Sequence, residues 1–339
     1  MNTTFLNACF AKKTSHTPVW YMRQAGRYLP QYQKIKGSTN ILDIVRNPAL
    51  ATQITLLPVD ILNVDAAVLY ADIMVPLLGI DVDLEIVESI GPVIKHPVAS
   101  LNDVKKLRVL EPSQDISYLL ETIKLVKKEL NGKVPLIGFS AAPFTLASYL
   151  IEGKPTRDFV KTKSFMYGET KAWQLLMEKL SNLIIVYLNA QVAAGIQAIQ
   201  LFDSWVGCLS ENDYREFVLP YTSKIFAALN ETSLPRIHFG TNTAALLKDF
   251  SSVNCEVISI DWRMPLATAW EQIGYEKGIQ GNLDPAILFA DFSFIKKRVD
   301  ELFATLPKRE GYIFNLGHGV LPRTPIENIK RLTDYVHQK

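Results

Sequence analysis

The sequence predicts an α/β protein folded as a single (β/α)8 TIM-type barrel, one domain over residues 1–339. Three observations carry this. Eight short apolar runs, rich in β-branched or aromatic residues, are each followed by a segment of helical period, as buried parallel strands joined by helices are. No linker, low-complexity stretch or repeat of fixed period interrupts the alternation. Each run also ends in residues capable of chemistry, and in such a barrel the strand C-termini converge on one mouth. Length alone allows two domains or one large barrel; the unbroken alternation decides for one.

In order, the strand runs are residues 19–22, 66–71, 134–139, 198–202, 236–239, 257–260, 278–281 and 312–316. Helix signals lie between them. Pro143 opens 144–151, where its missing N–H costs nothing. Further helices are expected over 156–167, 169–193 and 213–229, the last started by Ser210 with Asp213 three residues on, a capping-box pattern. The polar residues at the strand ends are Arg23 and Arg27, Asp72, Ser140, Asp203 with Ser204, Thr241 with Asn242, Asp261, Asn282 with Asp284, and His318 between Gly317 and Gly319.

Composition excludes several classes. With 48% apolar and 21% charged residues the chain is an ordinary globular one, and 36 Lys+Arg against 34 Asp+Glu gives a net charge of +2, which argues against a dedicated nucleic-acid binder. An anionic ligand must be met by locally placed cations. Cys9, Cys208 and Cys255 are widely spaced with no CxxC, so a disulfide framework is not indicated and a reducing compartment is. The first residues lack a secretory pattern, and no apolar run reaches membrane-spanning length; a cytoplasmic protein without membrane partners is expected. His16, His96, His238, His318 and His337 show no HExxH or His–Cys spacing, so no metal is expected.

Asp72 is the one charge between Asp65 and Ile80, where burial demands a cation or hydrogen-bond donors beside it. Arg23 and Arg27 form a pair around Gly26, suited to bidentate carboxylate binding; a surface pair held by nearby Asp or Glu is the plainer alternative. Lys34 and Lys36 extend the positive stretch. His318, flanked by glycines, is open to a ligand. Ser140 and Ser204 lack a GxSxG setting, no Walker lysine is present and no lysine ends a strand, which leaves cofactor-free acid–base and electrostatic catalysis.

The segment from Pro18 to Pro30, PVWYMRQAGRYLP, resembles the N-terminal signature of the uroporphyrinogen decarboxylase family, and the segment from Gly138 to Tyr149, GFSAAPFTLASY, resembles its second signature. The runs beginning at Tyr70, Leu201, Gln280 and Asn315 match in order and spacing. The resemblance implies a barrel, commonly a homodimer, that converts uroporphyrinogen III to coproporphyrinogen III without a cofactor. By the same resemblance Asp72 would meet the pyrrole N–H groups. Arg23 and Arg27 would hold carboxylates, one of them near the proton path, with Gln24, Ala25 and Gly26 completing that segment. Tyr149, Ser204 and His318 would bind or position substrate. Lys36 stands where many relatives have arginine, keeping the charge but not the fork. The zinc-dependent methyltransferases that act with corrinoid proteins resemble this family but carry His-x-Cys; here the segment reads Ile237-His-Phe-Gly240. A non-catalytic porphyrin carrier is the alternative outside enzymes.

Overall fold

The computed structural model describes residues 3–87, 90–229 and 232–339. Its strands are β1 (Ala67–Val68), β2 (Leu84–Val87), β3 (Gly91–Ile94), β4 (Leu136–Ala141), β5 (Ala198–Asp203), β6 (Arg236–Gly240), β7 (Val257–Ser259), β8 (Gly278–Leu283) and β9 (Tyr312–Leu316). Seven of them form one parallel sheet in the order β1-β4-β5-β6-β7-β8-β9, with helices in the connections. The sheet curls, as an α/β barrel requires.

The run at 19–22 occupies the gap between β9 and β1. It is not a full strand: its ladder is reduced to the bridge Val19–Phe314. Backbone bonds nevertheless reach both neighbours, from Phe314 N to Pro18 O (2.9 Å) on one side and from Asp65 N to Val19 O (2.8 Å) on the other. The reason is local. Arg23 takes a left-handed backbone conformation, φ +60°, which turns the chain away from the sheet. The buried Gln24 amide then substitutes for ladder bonds, Oε1 accepting from Tyr21 N (3.1 Å) and Nε2 donating to Ala66 O (3.0 Å).

Strand alternation sends Ile137, Ala198, Ile237, Val257 and Ile313 into the barrel, where they pack with Trp20, Met22 and Ala66. Phe5, Ala8 and Cys9, from the helix Thr4–Cys9, plug the N-terminal end of this core. Several polar groups inside are paired across the barrel: Trp20 Nε1 donates to Gln280 Oε1 (2.8 Å), and Gln280 Nε2 donates to Gln200 Oε1 (3.1 Å) and Ser259 Oγ (2.9 Å). Such bonds offset the desolvation of groups no water reaches.

The expected helices are present with shifted ends. The segment expected as 156–167 is helical only over Val160–Gly168, because Phe159 is left-handed (φ +52°) and Thr156 and Arg157 are left in a loop at the mouth. The helix expected over 213–229 is two, Glu211–Phe217 and Leu219–Ala228, broken at Val218 ahead of Pro220, which has no N–H to continue the ladder. Its start is as expected: Ser210 Oγ accepts from Asp213 N (3.1 Å) and donates to Asp213 Oδ2 (2.7 Å). The antiparallel pair β2–β3 between the first two barrel steps was not among the expected elements. No helix among the described residues is long and apolar enough to cross a membrane.

Candidate active site

Two adjoining cavities open at the strand C-termini. The inner one, about 250 Å³, is walled by Phe139, Phe202 and Phe239 and carries Arg23, Asp72, Tyr149, Ser204 and His318. The outer one, about 650 Å³, shares Ser204, Trp205 and His318 with it and adds Arg157, Asn242 and Arg263. Together they span the volume range of ligand clefts. The elements explain the convergence. Asp72 follows β1, Tyr149 stands on helix Pro143–Glu152 after β4, Ser204 follows β5 and His318 follows β9.

Of the residues expected at the site, Gln24 and Ala25 also line the inner cavity, though the Gln24 amide is spent on the barrel seam. Gly26 and Arg27 lie beyond its wall. So do Lys34 and Lys36, on the helix Pro30–Lys36. Ser140 and Asp203, also strand-end candidates, are fully buried and line neither cavity. Asp261 and Asn282 serve the loops: Asp261 accepts from Asn242 N (2.8 Å) and Arg263 N (3.0 Å), while Asn282 Nδ2 donates to Asp261 O (2.9 Å) and Met264 O (2.7 Å).

The half-buried Asp72 carboxylate accepts one bond, from Met74 N at 2.9 Å. Burial raises its pKa, and the Met74 N–H and the Arg23 charge pull it part of the way back. Its other oxygen is left for a ligand donor. Burial, and after it the Asp72 charge, pushes the Tyr149 hydroxyl well above its ordinary range, so it is a donor at neutral pH. Its ring lies 4.1 Å from that of Trp205, centroid to centroid. His318 is held down to about 4 by burial, then by Arg23 and Arg263, with Asp261 opposing. Its Nδ1 accepts from Gly319 N (2.8 Å), so the neutral ring carries its proton on Nε2. Among the described residues neither Arg23 nor Arg27 is in an ion pair, unlike the surface-pair alternative.

The cavity is therefore an apolar sleeve with one carboxylate, one guanidinium and neutral donors. It can accept N–H groups at Asp72, bind carboxylates at Arg23, Tyr149 and His318, and hold flat rings against its aromatic wall. The aromatic lining was not among the expected site residues. Phe139, Phe202 and Phe239 sit at every-second-residue positions of β4, β5 and β6, so the strand period was the available signal. Arg157, Trp262 and Arg263 come from loops and had no such signal.

A family profile described as "Uroporphyrinogen decarboxylase (URO-D)" matches residues 1–339. The chain belongs to the uroporphyrinogen decarboxylase family. Relatives named uroporphyrinogen decarboxylase include one from Carboxydothermus hydrogenoformans, 47% identical over 100% of this chain and 97% of the relative, and one from Geobacillus sp. (strain WCH70), 50% identical over 99% and 97%. Among solved structures, a methyltransferase from Methanosarcina mazei superposes with a TM-score of 0.83 at 22% identity, covering 99% of this chain and 98% of that one. That likeness concerns the barrel alone. In this decarboxylase-family chain His238 is fully buried and stacks on Phe250, centroids 3.7 Å apart. At Gly240 a Cβ would fall 2.5 Å from Thr243 Cγ2, so a cysteine does not fit without rearrangement.

Proposed function

We propose that this chain removes the four acetate carboxyl groups of uroporphyrinogen III to give coproporphyrinogen III, in the cytoplasm, as a homodimer of single-domain barrels. Decarboxylation of uroporphyrinogen in tetrapyrrole synthesis is a carboxy-lyase activity, and it is the one the chain's family and its near-full-length relatives carry in their name. The observation that carries the finer reading is Asp72 in the apolar sleeve with Arg23 beside it.

Loss of CO₂ leaves an electron pair that needs a sink. A pyrrole supplies one when a proton adds to the α ring carbon adjacent to the one bearing the acetate arm: the ring becomes a cationic iminium conjugated to that arm. The C–C bond to the carboxylate then breaks, its electrons neutralise the iminium and CO₂ departs. A second protonation turns the exocyclic methylene into a methyl group, and loss of the ring-carbon proton restores the pyrrole. Asp72 accepts the pyrrole N–H bonds and stabilises the cation, a preorganised charge of the kind that dominates many rate enhancements. Arg23 holds carboxylates, and Arg27, outside the cavity on the same segment, adds positive charge near it. Tyr149, Ser204 and the Nε2–H of His318 orient the reacting ring. Arginine is too weak an acid for its own proton transfer to be assigned here.

Anaerobic incubation with uroporphyrinogen III, followed by oxidation and chromatographic separation by carboxyl number, tests the activity. Stepwise loss of carboxyl groups is expected; unchanged substrate overturns the proposal. Sedimentation of the purified protein tests the homodimer.

A further inference from the structure

At the N-terminal end of the barrel, away from both cavities, three side chains from distant parts of the chain meet. Asp65 stands just ahead of β1, His16 precedes the 19–22 run, and His337 ends the last helix, Ile326–His337. His16 Nε2 lies 2.8 Å from Asp65 Oδ1, and His337 Nε2 lies 2.8 Å from Asp65 Oδ2. The two imidazoles meet edge to face, centroids 4.6 Å apart, and ligand atoms from all three residues fall within 4.8 Å of one another. The Asp65 side chain is only 4% exposed, whereas His16 and His337 are 25% and 18% exposed, so an ion can enter from solvent.

A ring nitrogen at hydrogen-bond distance from a carboxylate oxygen needs a positive centre between them, either a proton or a metal ion. Here two such contacts share one carboxylate. We propose that His16, Asp65 and His337 form a binding site for a borderline divalent transition-metal ion, Zn²⁺ being the best match, which ties the two ends of the chain across the closed end of the barrel.

Two imidazoles and a carboxylate suit Zn²⁺, whereas Mg²⁺ and Ca²⁺ take oxygen ligands. Bonds of about 2.0–2.2 Å in tetrahedral array place ligand atoms roughly 3.3–3.5 Å apart, a spacing this cluster reaches with small side-chain movements. Outer partners are in place. Ser15 Oγ lies 3.0 Å from His16 Nδ1 and can accept its proton, which leaves the Nε2 lone pair for the ion; Val19 N donates to Asp65 Oδ2 (2.8 Å) and fixes the carboxylate. On binding, each Nε2 proton moves to Nδ1 or is released to solvent. A water fills the fourth position on the exposed side. The N-terminal face of such a barrel is where stability rather than catalysis resides.

The test uses tag-free, chelator-treated protein titrated with Zn²⁺ and followed by calorimetric titration and thermal melting. Saturable binding of a single ion per chain at micromolar affinity or tighter is expected, with a Tm that rises with free Zn²⁺ and is unmoved by Mg²⁺. In the double variant His16→Asn, His337→Asn both responses should vanish. The single variant His337→Asn, changed at the end of the last helix, should keep a cooperative thermal melt in metal-free buffer and bind at least about tenfold more weakly, since even loss of an outer partner costs that much. No saturable binding by the wild-type protein overturns the proposal. Equal binding by the single variant does so as well, since it places the ion elsewhere.

Discussion

The Arg23 side chain crosses Gly319 so closely that a Cβ at Gly319 would lie 2.5 Å from Arg23 Cδ and 2.8 Å from Cγ. The second glycine of Gly-His-Gly thus serves the cation of the first strand end, at the seam where the barrel closes. The backbone at Gly319 lies outside the left-handed region, so space alone forbids a side chain there.

Gly319→Ala should therefore fold and yet displace the Arg23 guanidinium. A displacement near 1 Å in a positioning group can cost about 10²-fold, so kcat/KM is expected to fall by roughly ten- to a hundredfold. Steady-state kinetics beside a thermal melt would check this; unchanged kcat/KM means Arg23 does not act from this position.

Replacing Asp72 by Asn keeps shape and removes charge. The rate of CO₂ release should fall by about 10²–10³ or more, with the circular dichroism spectrum retained. Turnover near that of the wild type would exclude Asp72 from stabilising a cationic ring.

The pH profile should report the same carboxylate. Burial raises the Asp72 pKa and Arg23 opposes the rise, so kcat/KM should decline as pH falls through that raised value. In Arg23→Gln the opposition is gone and the acidic limb should move to higher pH. A limb that stays in place or moves the other way would refute the coupling.

His318 makes a separate prediction about stability. Its folded pKa is about 4, against about 6.5 for a free imidazole. Between those values the unfolded chain binds a proton that the folded one does not, so stability falls as pH drops from 6.5 towards 4. The expected contribution is about 1–3 kcal/mol, reduced from the full value because the ring is partly exposed. Urea midpoints at the two ends of this window should diverge less in His318→Gln; parallel losses would assign the slope to other groups, such as the buried His238.

Gln24 separates seam from site. Its side chain satisfies Tyr21 N and Ala66 O, so Gln24→Ala should destabilise by about 2–4 kcal/mol through two orphaned buried groups. Denaturant unfolding would show it, and a stability equal to the wild type would mean that those backbone groups find other partners.

Much of this molecule was legible in the sequence because alternation and helical period are local. The strand runs that became β4, β5, β6 and β9 carry their own apolar signal, and the lone Asp72 in an apolar stretch announced a desolvated carboxylate. The first run read as a strand equal to the others, since nothing local shows that Arg23 turns left-handed and that a Gln24 side chain replaces the ladder. Likewise Asp203 read as a site residue because it ends a strand, while its side chain is buried outside both cavities, with Oδ1 accepting from Thr145 Oγ1 (3.3 Å) and Oδ2 lying 3.8 Å from His238 Nε2.

By itself the sequence determined the α/β barrel, the family and the identity of the charged and neutral donors at the strand ends, because these follow from periodicity and from contiguous motifs. Only the tertiary structure decided which of them share a cavity. Arg23, Asp72, Tyr149, Ser204 and His318 are brought together by barrel closure, while Arg27 lines neither cavity. Closure also joins His16 to His337, whose pairing no spacing rule could show, since contacts between chain ends depend on where the last helix returns.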